Sequence, residues 1–198
     1  PNALEEDEVL APPPPPPWLA DLQSERPGSL WVGFPGQLCH RKGQDFLIRL
    51  AARLVPPAGT TVHFIVLGDD LEQGGENLRA LRQQAAENGV ADRVHFHSFE
   101  PGIASFYGAM DIIVSPARSE GFGRVVAEAM RMGKPVVASD VGGHREIVSS
   151  PDQALLVPPD DLEAWAAALQ GLLSAPGQRR ALGEAGRAAV AGRRRRGQ

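Results

Sequence analysis

From residue 30 onward, short apolar runs alternate with segments of helical periodicity, and few folds satisfy that alternation. The runs are Leu30 to Val32, Val62 to Leu67, Val94 to Phe96, Asp111 to Ser115, Pro135 to Ala138 and Ala154 to Val157. Between them, Phe46, Leu47, Leu50, Ala51 and Leu54 recur at helical spacing, which predicts a helix over 44–54. Further helices are expected over 76–88, 103–110, 123–132 and 162–173. Strands joined through helices make right-handed crossovers, and these build a parallel sheet covered on both faces. Near-continuous apolar runs such as His63-Phe64-Ile65-Val66-Leu67 agree, because parallel strands bury both faces. The expected fold is therefore α/β, a doubly wound parallel sheet of Rossmann-like type over residues 29–177. Ligands on such sheets bind beyond the carboxyl ends of the strands.

Composition narrows the function classes. With 198 residues and 42% apolar side chains, the chain can bury a sizeable core without staples. A net charge of −4 points away from nucleic acid as a partner. A single cysteine, Cys39, excludes an internal disulfide framework and fits a reducing compartment. The apolar runs are too short to cross a bilayer, and the first residues lack the apolar core of a signal peptide. A soluble, cytoplasmic protein is expected.

Residues 1–28 differ from the rest. An acidic cluster, Glu5 to Glu8, precedes six prolines, Pro12 to Pro17. Proline fixes φ and removes the backbone donor, so this run is expected as polyproline II in an interdomain linker, with a ligand for a proline-binding module as the alternative. At the other end, 178–198 is expected to form a helix to about Gly192 and a basic tail, Arg193 to Arg196. No aromatic residues accompany that tail, which favours a solvated end over a nucleic-acid or membrane patch.

The segment with the most chemistry is Ser115-Pro116-Ala117-Arg118-Ser119-Glu120-Gly121-Phe122-Gly123, followed by a predicted helix containing Glu128. Two glycines around Phe122 let backbone approach a ligand, and the helix start adds amides and a positive dipole end, an arrangement suited to a diphosphate. Glu128 can accept hydrogen bonds from a ribose diol, and Glu120, ahead of the glycines, is placed for the sugar side of the same diphosphate. Plain alternatives stand beside these. A glycine-rich loop is common punctuation, and a mid-helix glutamate is commonly solvent-facing. The run Gly121 to Val126 also resembles a dinucleotide fingerprint, but it does not follow the first strand and its third small position is Val126.

Taken together, these residues resemble the donor-binding domain of family 4 retaining glycosyltransferases, enzymes of the two-domain GT-B fold. The family signature is a glutamate pair with seven residues between, here Glu120-Gly121-Phe122-Gly123 and Glu128-Ala129-Met130. The likeness continues through Gly133 to Ala138 and Gly142-Gly143, and upstream through Asp111 to Pro116, covering nearly all residues from Leu30 onward. In the early loop, Gly36, Leu38 and Lys42-Gly43 match the family spacing, while the family arginine is replaced by Gln37. Arginine would hold phosphate as a charged fork; glutamine offers a neutral amide.

The resemblance implies transfer of a sugar from a nucleoside diphosphate sugar to an acceptor hydroxyl on the same face, with no cofactor or metal. Glu120 and Lys42 are the implied catalytic residues. The implied donor site comprises Gly36, Gln37, Arg41, Lys42, Ser98, Phe99, Glu120, Gly121, Phe122, Gly123 and Glu128, with Ser98 and Phe99 at the nucleobase. For Arg41 a solvent-facing role is the equal alternative. The acceptor is a glycan, a lipid or a small molecule, and peripheral association with the inner membrane surface is allowed for. Pro1-Asn2 resembles the pair that follows the family's N-terminal acceptor domain, so that domain is expected as a partner and the chain is expected to lack it. Two other functions remain: a non-catalytic nucleotide-sugar-binding module, or a sugar-nucleotide epimerase or phosphorylase on the same fold.

Three side features complete the picture. His95 and His97 share a strand face at a spacing that could chelate a metal, without a third ligand near in sequence. His144 is expected in a loop near the donor. Asp69-Asp70 is expected as a loop after a strand, with no metal.

Overall fold

The computed structural model describes residues 13–196, with side chains to 192. Pro1-Asn2, the acidic cluster and Pro12 lie outside the described residues. The elements in chain order are α1 (Pro17–Ser24), β1 (Leu30–Pro35), a 3-10 turn (His40–Lys42), α2 (Gln44–Arg53), β2 (Val62–Leu67), α3 (Glu76–Glu87) and β3 (Val94–His97). They continue with α4 (Ile103–Ala109), β4 (Ile112–Ser115), α5 (Arg124–Arg131), β5 (Val136–Ser139), α6 (Gly142–Ile147), β6 (Leu155–Val157), α7 (Leu162–Ser174) and α8 (Pro176–Arg196).

All six strands pair in parallel in the order β3-β2-β1-β4-β5-β6. The order reverses between β1 and β4, and this switch point opens a crevice at the carboxyl ends of both strands. Strand side chains alternate between two cores. Val32, Phe34, Phe64, Val66, Ile112 and Val114 face α2, α3 and α7, where Phe46 meets Trp165 edge to face at 5.6 Å. Trp31, Ile65, Leu67, Ile113, Val136 and Ala138 face α1, α4 and α5. This period-2 alternation inside mostly apolar strands follows from covering both faces.

Two helices depart from the expected layout. Pro17, the last of the proline run, occupies the first turn of α1, where a missing N–H costs nothing. Leu19 is fully buried, with Trp18 and Leu22 packed beside it, so part of the segment expected as a linker joins the second core. The six-residue α6 occupies what was expected as a loop. Among the described residues no helix is long and apolar enough to cross a membrane.

The histidine pair of β3 is used for packing. His95 Nε2 lies 3.1 Å from Nδ1 of His63 on β2, which also stacks on Trp31. His97 stacks on Trp18 at 3.8 Å between ring centroids. Among the described residues, no three His, Cys, Asp or Glu side chains are grouped so as to hold a metal ion. Burial first, then the neighbouring His95 and Arg26, push the His63 pKa down to about 4. In the unfolded chain a histidine takes its proton near the ordinary 6.5. The stabilisation associated with neutral His63 is therefore complete above pH 6.5 and is lost as pH falls towards 4. His63→Gln is expected to remove up to about 1.4 kcal/mol per pH unit from the acid slope of stability in that window. Urea denaturation at a series of pH values reads this directly; an unchanged slope would refute it.

Candidate active site

Two loops meet across the switch point. One leaves β1, makes the 3-10 turn and enters α2; the other leaves β4 and enters α5. Between them and the loops after β2 and β3 lies a cleft of about 470 Å3. Within it, Nζ of Lys42 sits 2.5 Å from Oε2 of Glu120, with the two side chains only 15% and 13% exposed. The backbone N–H of Phe122 donates to the other carboxylate oxygen at 3.4 Å. Burial pushes the Glu120 carboxyl up, but Lys42 and the Phe122 amide outweigh it and hold the group below the usual carboxylate range. The site thus contains a largely buried ion pair on the wall of the cleft.

The loop around Glu120 is fixed by backbone packing. Gly143 at the start of α6 donates its N–H to the Glu120 carbonyl at 2.9 Å. Gly123 takes a left-handed φ of 60° as the N-cap of α5, and a Cβ there would stand 2.8 Å from the Gly143 carbonyl. A side chain is excluded at that contact, and the first amides of α5, which have no partner inside the helix, are left at the edge of the cleft.

Glu128 lies one turn into α5 and receives the Tyr107 hydroxyl at 3.0 Å. Burial, then the Glu128 charge, raise the Tyr107 pKa, so the phenol stays a donor. Arg124, one turn earlier on the same helix, comes within 3.8 Å of the second Glu128 oxygen. Phe99, Leu71 and Phe122 are exposed apolar side chains that line the cleft, Phe122 being 84% exposed.

Of the residues expected from sequence, Gly36, Gln37, Arg41, Lys42, Phe99, Glu120, Phe122 and Glu128 all line this one cleft. Gln37, however, donates its side-chain amide to Glu72 at 3.0 Å. Arg41 is exposed and reaches the Ser119 carbonyl on the opposite loop at 3.3 Å. Ser98, Gly121 and Gly123 do not line the cleft, although each adjoins a residue that does. Asp70 is used for structure, accepting from the Asn77 backbone N–H at 2.8 Å at the start of α3.

His144 requires a correction. It lies in α6 rather than a loop, is 0% exposed and does not line the cleft. Its Nδ1 is 2.8 Å from the Ser139 carbonyl, which can only accept, so the proton sits there and Nε2 accepts from the Ser115 hydroxyl at 3.3 Å. The Gly142-Gly143 pair obscured this helix, since glycine argues against one. Tyr107, Arg118 and Arg124 are site or near-site residues that the sequence did not single out. The two arginines flanking the Glu120-to-Gly123 run were the available signal.

Known proteins share both sequence and shape with this chain. The Glycosyl transferases group 1 family pattern matches residues 23–189. The D-inositol 3-phosphate glycosyltransferase of Corynebacterium urealyticum is 35% identical over 156 residues, 77% of this chain and 37% of that protein. The lipopolysaccharide core biosynthesis mannosyltransferase LpsB of Rhizobium meliloti is 36% identical over 143 residues, 70% of this chain and 40% of that protein. The chain therefore spans roughly two fifths of the length of these relatives. Among solved structures, Anabaena HepE in complex with UDP and glucose superposes with a TM-score of 0.78 at 30% identity, covering 84% of this chain and 44% of HepE. The C-terminal domain of LpcC, a group 1 family protein of Francisella tularensis, shares the fold at a TM-score of 0.78 and 23% identity, covering 96% of this chain and 98% of that domain.

Proposed function

This chain belongs to the Glycosyl transferases group 1 family, and from that premise we propose that it is the donor-binding half of a family 4 retaining glycosyltransferase acting without a metal. The observation that carries the proposal is the largely buried Lys42–Glu120 pair in the switch-point cleft, with Glu128 on the helix beside it. Charge develops on the diphosphate as it leaves the anomeric carbon. Lys42, with the first amides of α5 and the positive end of its dipole, answers that charge as preorganised electrostatics. Glu120 meets the donor sugar, and Glu128, oriented by Tyr107, accepts from the ribose diol. Phe99 and the neighbouring Ser98 backbone flank the nucleobase.

The acceptor hydroxyl, from a glycan, a lipid or a small molecule, arrives from an N-terminal acceptor domain that closes on the cleft. The enzyme works in the cytoplasm, peripherally at the inner membrane surface when its acceptor is a lipid. The pair Glu120 and Glu128 does not serve as a glycosidase acid and nucleophile, because both are assigned to donor binding.

Calorimetric titration of UDP, GDP and ADP into the chain tests the proposal. UDP comes first because HepE, a similar protein, was crystallised with it. One diphosphate is expected to bind best, and Glu128→Ala is expected to weaken it about tenfold, the loss of one charged hydrogen bond. A folded chain that takes none of the three would end the proposal.

A further inference from the structure

Arg118 stands three residues beyond the end of β4 at Ser115 and two before Glu120, outside the cleft lining. Its guanidinium carries five N–H donors in a rigid fork, and every one is used. Nη1 donates to the His40 carbonyl at 2.6 Å and to Asp45 Oδ1 at 2.8 Å. Nη2 donates to Asp45 Oδ2 at 2.8 Å and to Asp160 Oδ1 at 2.9 Å. Nε donates to Asp160 Oδ2 at 3.0 Å. The backbone repeats the link, since the Arg118 N–H donates to the Arg41 carbonyl at 2.9 Å.

Arg118 and its partners belong to three separate segments. His40 and Asp45 bracket Lys42 on the loop from β1 and the start of α2. Arg118 itself sits on the loop that carries Glu120. Asp160 belongs to the turn between β6 and α7, where it is the one non-glycine with a positive φ among the described residues, at 57°. An ordinary exposed ion pair contributes little and tolerates many geometries. A fully used fork is different, because each bond fixes a direction as well as a distance.

We propose that Arg118 is a positioning residue for donor binding: it locks the loop bearing Lys42 to the loop bearing Glu120, so that the phosphate and sugar groups of a nucleoside diphosphate sugar meet one fixed geometry. The proposal rests on the donor-site function proposed above. Lysine cannot replace it, since an ammonium offers three donors from a single point and cannot span five acceptors on two segments.

The test uses Arg118→Lys and Asp160→Gly, the second keeping a turn that glycine adopts freely while removing two of the five acceptors. Two readouts are taken on each folded variant. The first is the titration of the Glu120 carboxyl by NMR, which reports its distance from Lys42 without any ligand. The second is calorimetric binding of UDP and of UMP, which lacks the phosphate assigned to Lys42. In Arg118→Lys, Glu120 is expected to titrate at higher pH than in the native chain, and UDP to bind about tenfold more weakly, with UMP unchanged. Asp160→Gly is expected to move both in the same direction by less, and it decides the matter if Arg118→Lys does not fold. Native Glu120 titration and native UDP affinity in both variants would overturn the proposal. Equal losses of UDP and UMP would also overturn it, showing a general loosening instead. If the native chain binds no UDP, the donor-site function fails, while the Glu120 titration still decides whether Arg118 holds the two loops together.

Discussion

Lys42→Ala is expected to weaken nucleoside diphosphate binding about a hundredfold while leaving the fold intact. Lys42 is 15% exposed and its ammonium stands 2.5 Å from Glu120, so the substitution has two consequences. A charged hydrogen bond to phosphate in a half-buried site is lost, at about 1.5–3 kcal/mol. The Glu120 carboxylate is also left unopposed in the cleft proposed to receive a second anion, and like charges there disfavour binding. The pH dependence follows from the second effect. Lys42 helps hold the Glu120 carboxyl below its usual range against the opposing effect of burial. Without Lys42 the carboxyl protonates at higher pH, so the variant should regain affinity as the solution is acidified. Adding Glu120→Gln to Lys42→Ala should restore part of the loss at neutral pH. In an enzyme that includes the acceptor domain, transfer should fall further, by about 10³-fold, because charge on the leaving group peaks in the transition state. Calorimetry on the single and double variants decides the matter, and native affinity in Lys42→Ala would remove Lys42 from the site.

The second large effect is on stability. Gly43 follows Lys42 directly and caps α2 with a φ of 82°. A Cβ placed on it would stand 2.3 Å from the Pro116 carbonyl oxygen, a backbone atom of the facing loop. Gly43→Ala therefore combines a left-handed conformation, costing about 1–3 kcal/mol, with overpacking against backbone, costing about 1–3 kcal/mol. A destabilisation of about 4 kcal/mol is expected, a large part of the roughly 5–15 kcal/mol that holds a domain of this kind together. Gly59 provides the control. Its φ is 73° but nothing lies within 4 Å of its Cβ position, so Gly59→Ala should show only the conformational part. Urea midpoints of the two variants separate the contributions. Equal midpoints would mean that the two loops are not held in contact at Gly43.

The layout of the sheet was legible because each strand carries its own evidence. A strand such as Val62–Leu67 is buried on both faces and is apolar at every position but His63, whatever its neighbours are. The Glu120 and Glu128 pair was legible for a similar reason, since a loop glycine, a helix start and a carboxylate one turn later are local in sequence. Other features were hidden. Six prolines concealed the helix that begins on the last of them, although Trp18, Leu19 and Leu22 mark its apolar side. Two glycines concealed α6, and with it the buried, doubly bonded state of His144.

The sequence by itself determined the α/β class, the membership of the glycosyl transferase family and the loops that meet at the cleft. Only the tertiary structure decided how those loops are held. Arg118 meets Asp45 across 73 positions and Asp160 across 42, and Tyr107 meets Glu128 across 21. Lys42 and Glu120 are 78 positions apart and become a pair only because β1 and β4 are neighbours at the point where the strand order reverses. Periodicity reports whether a residue faces a core, because burial is a property of one side chain and its element. Pairing is a property of two elements, and it exists only once the sheet has set them side by side.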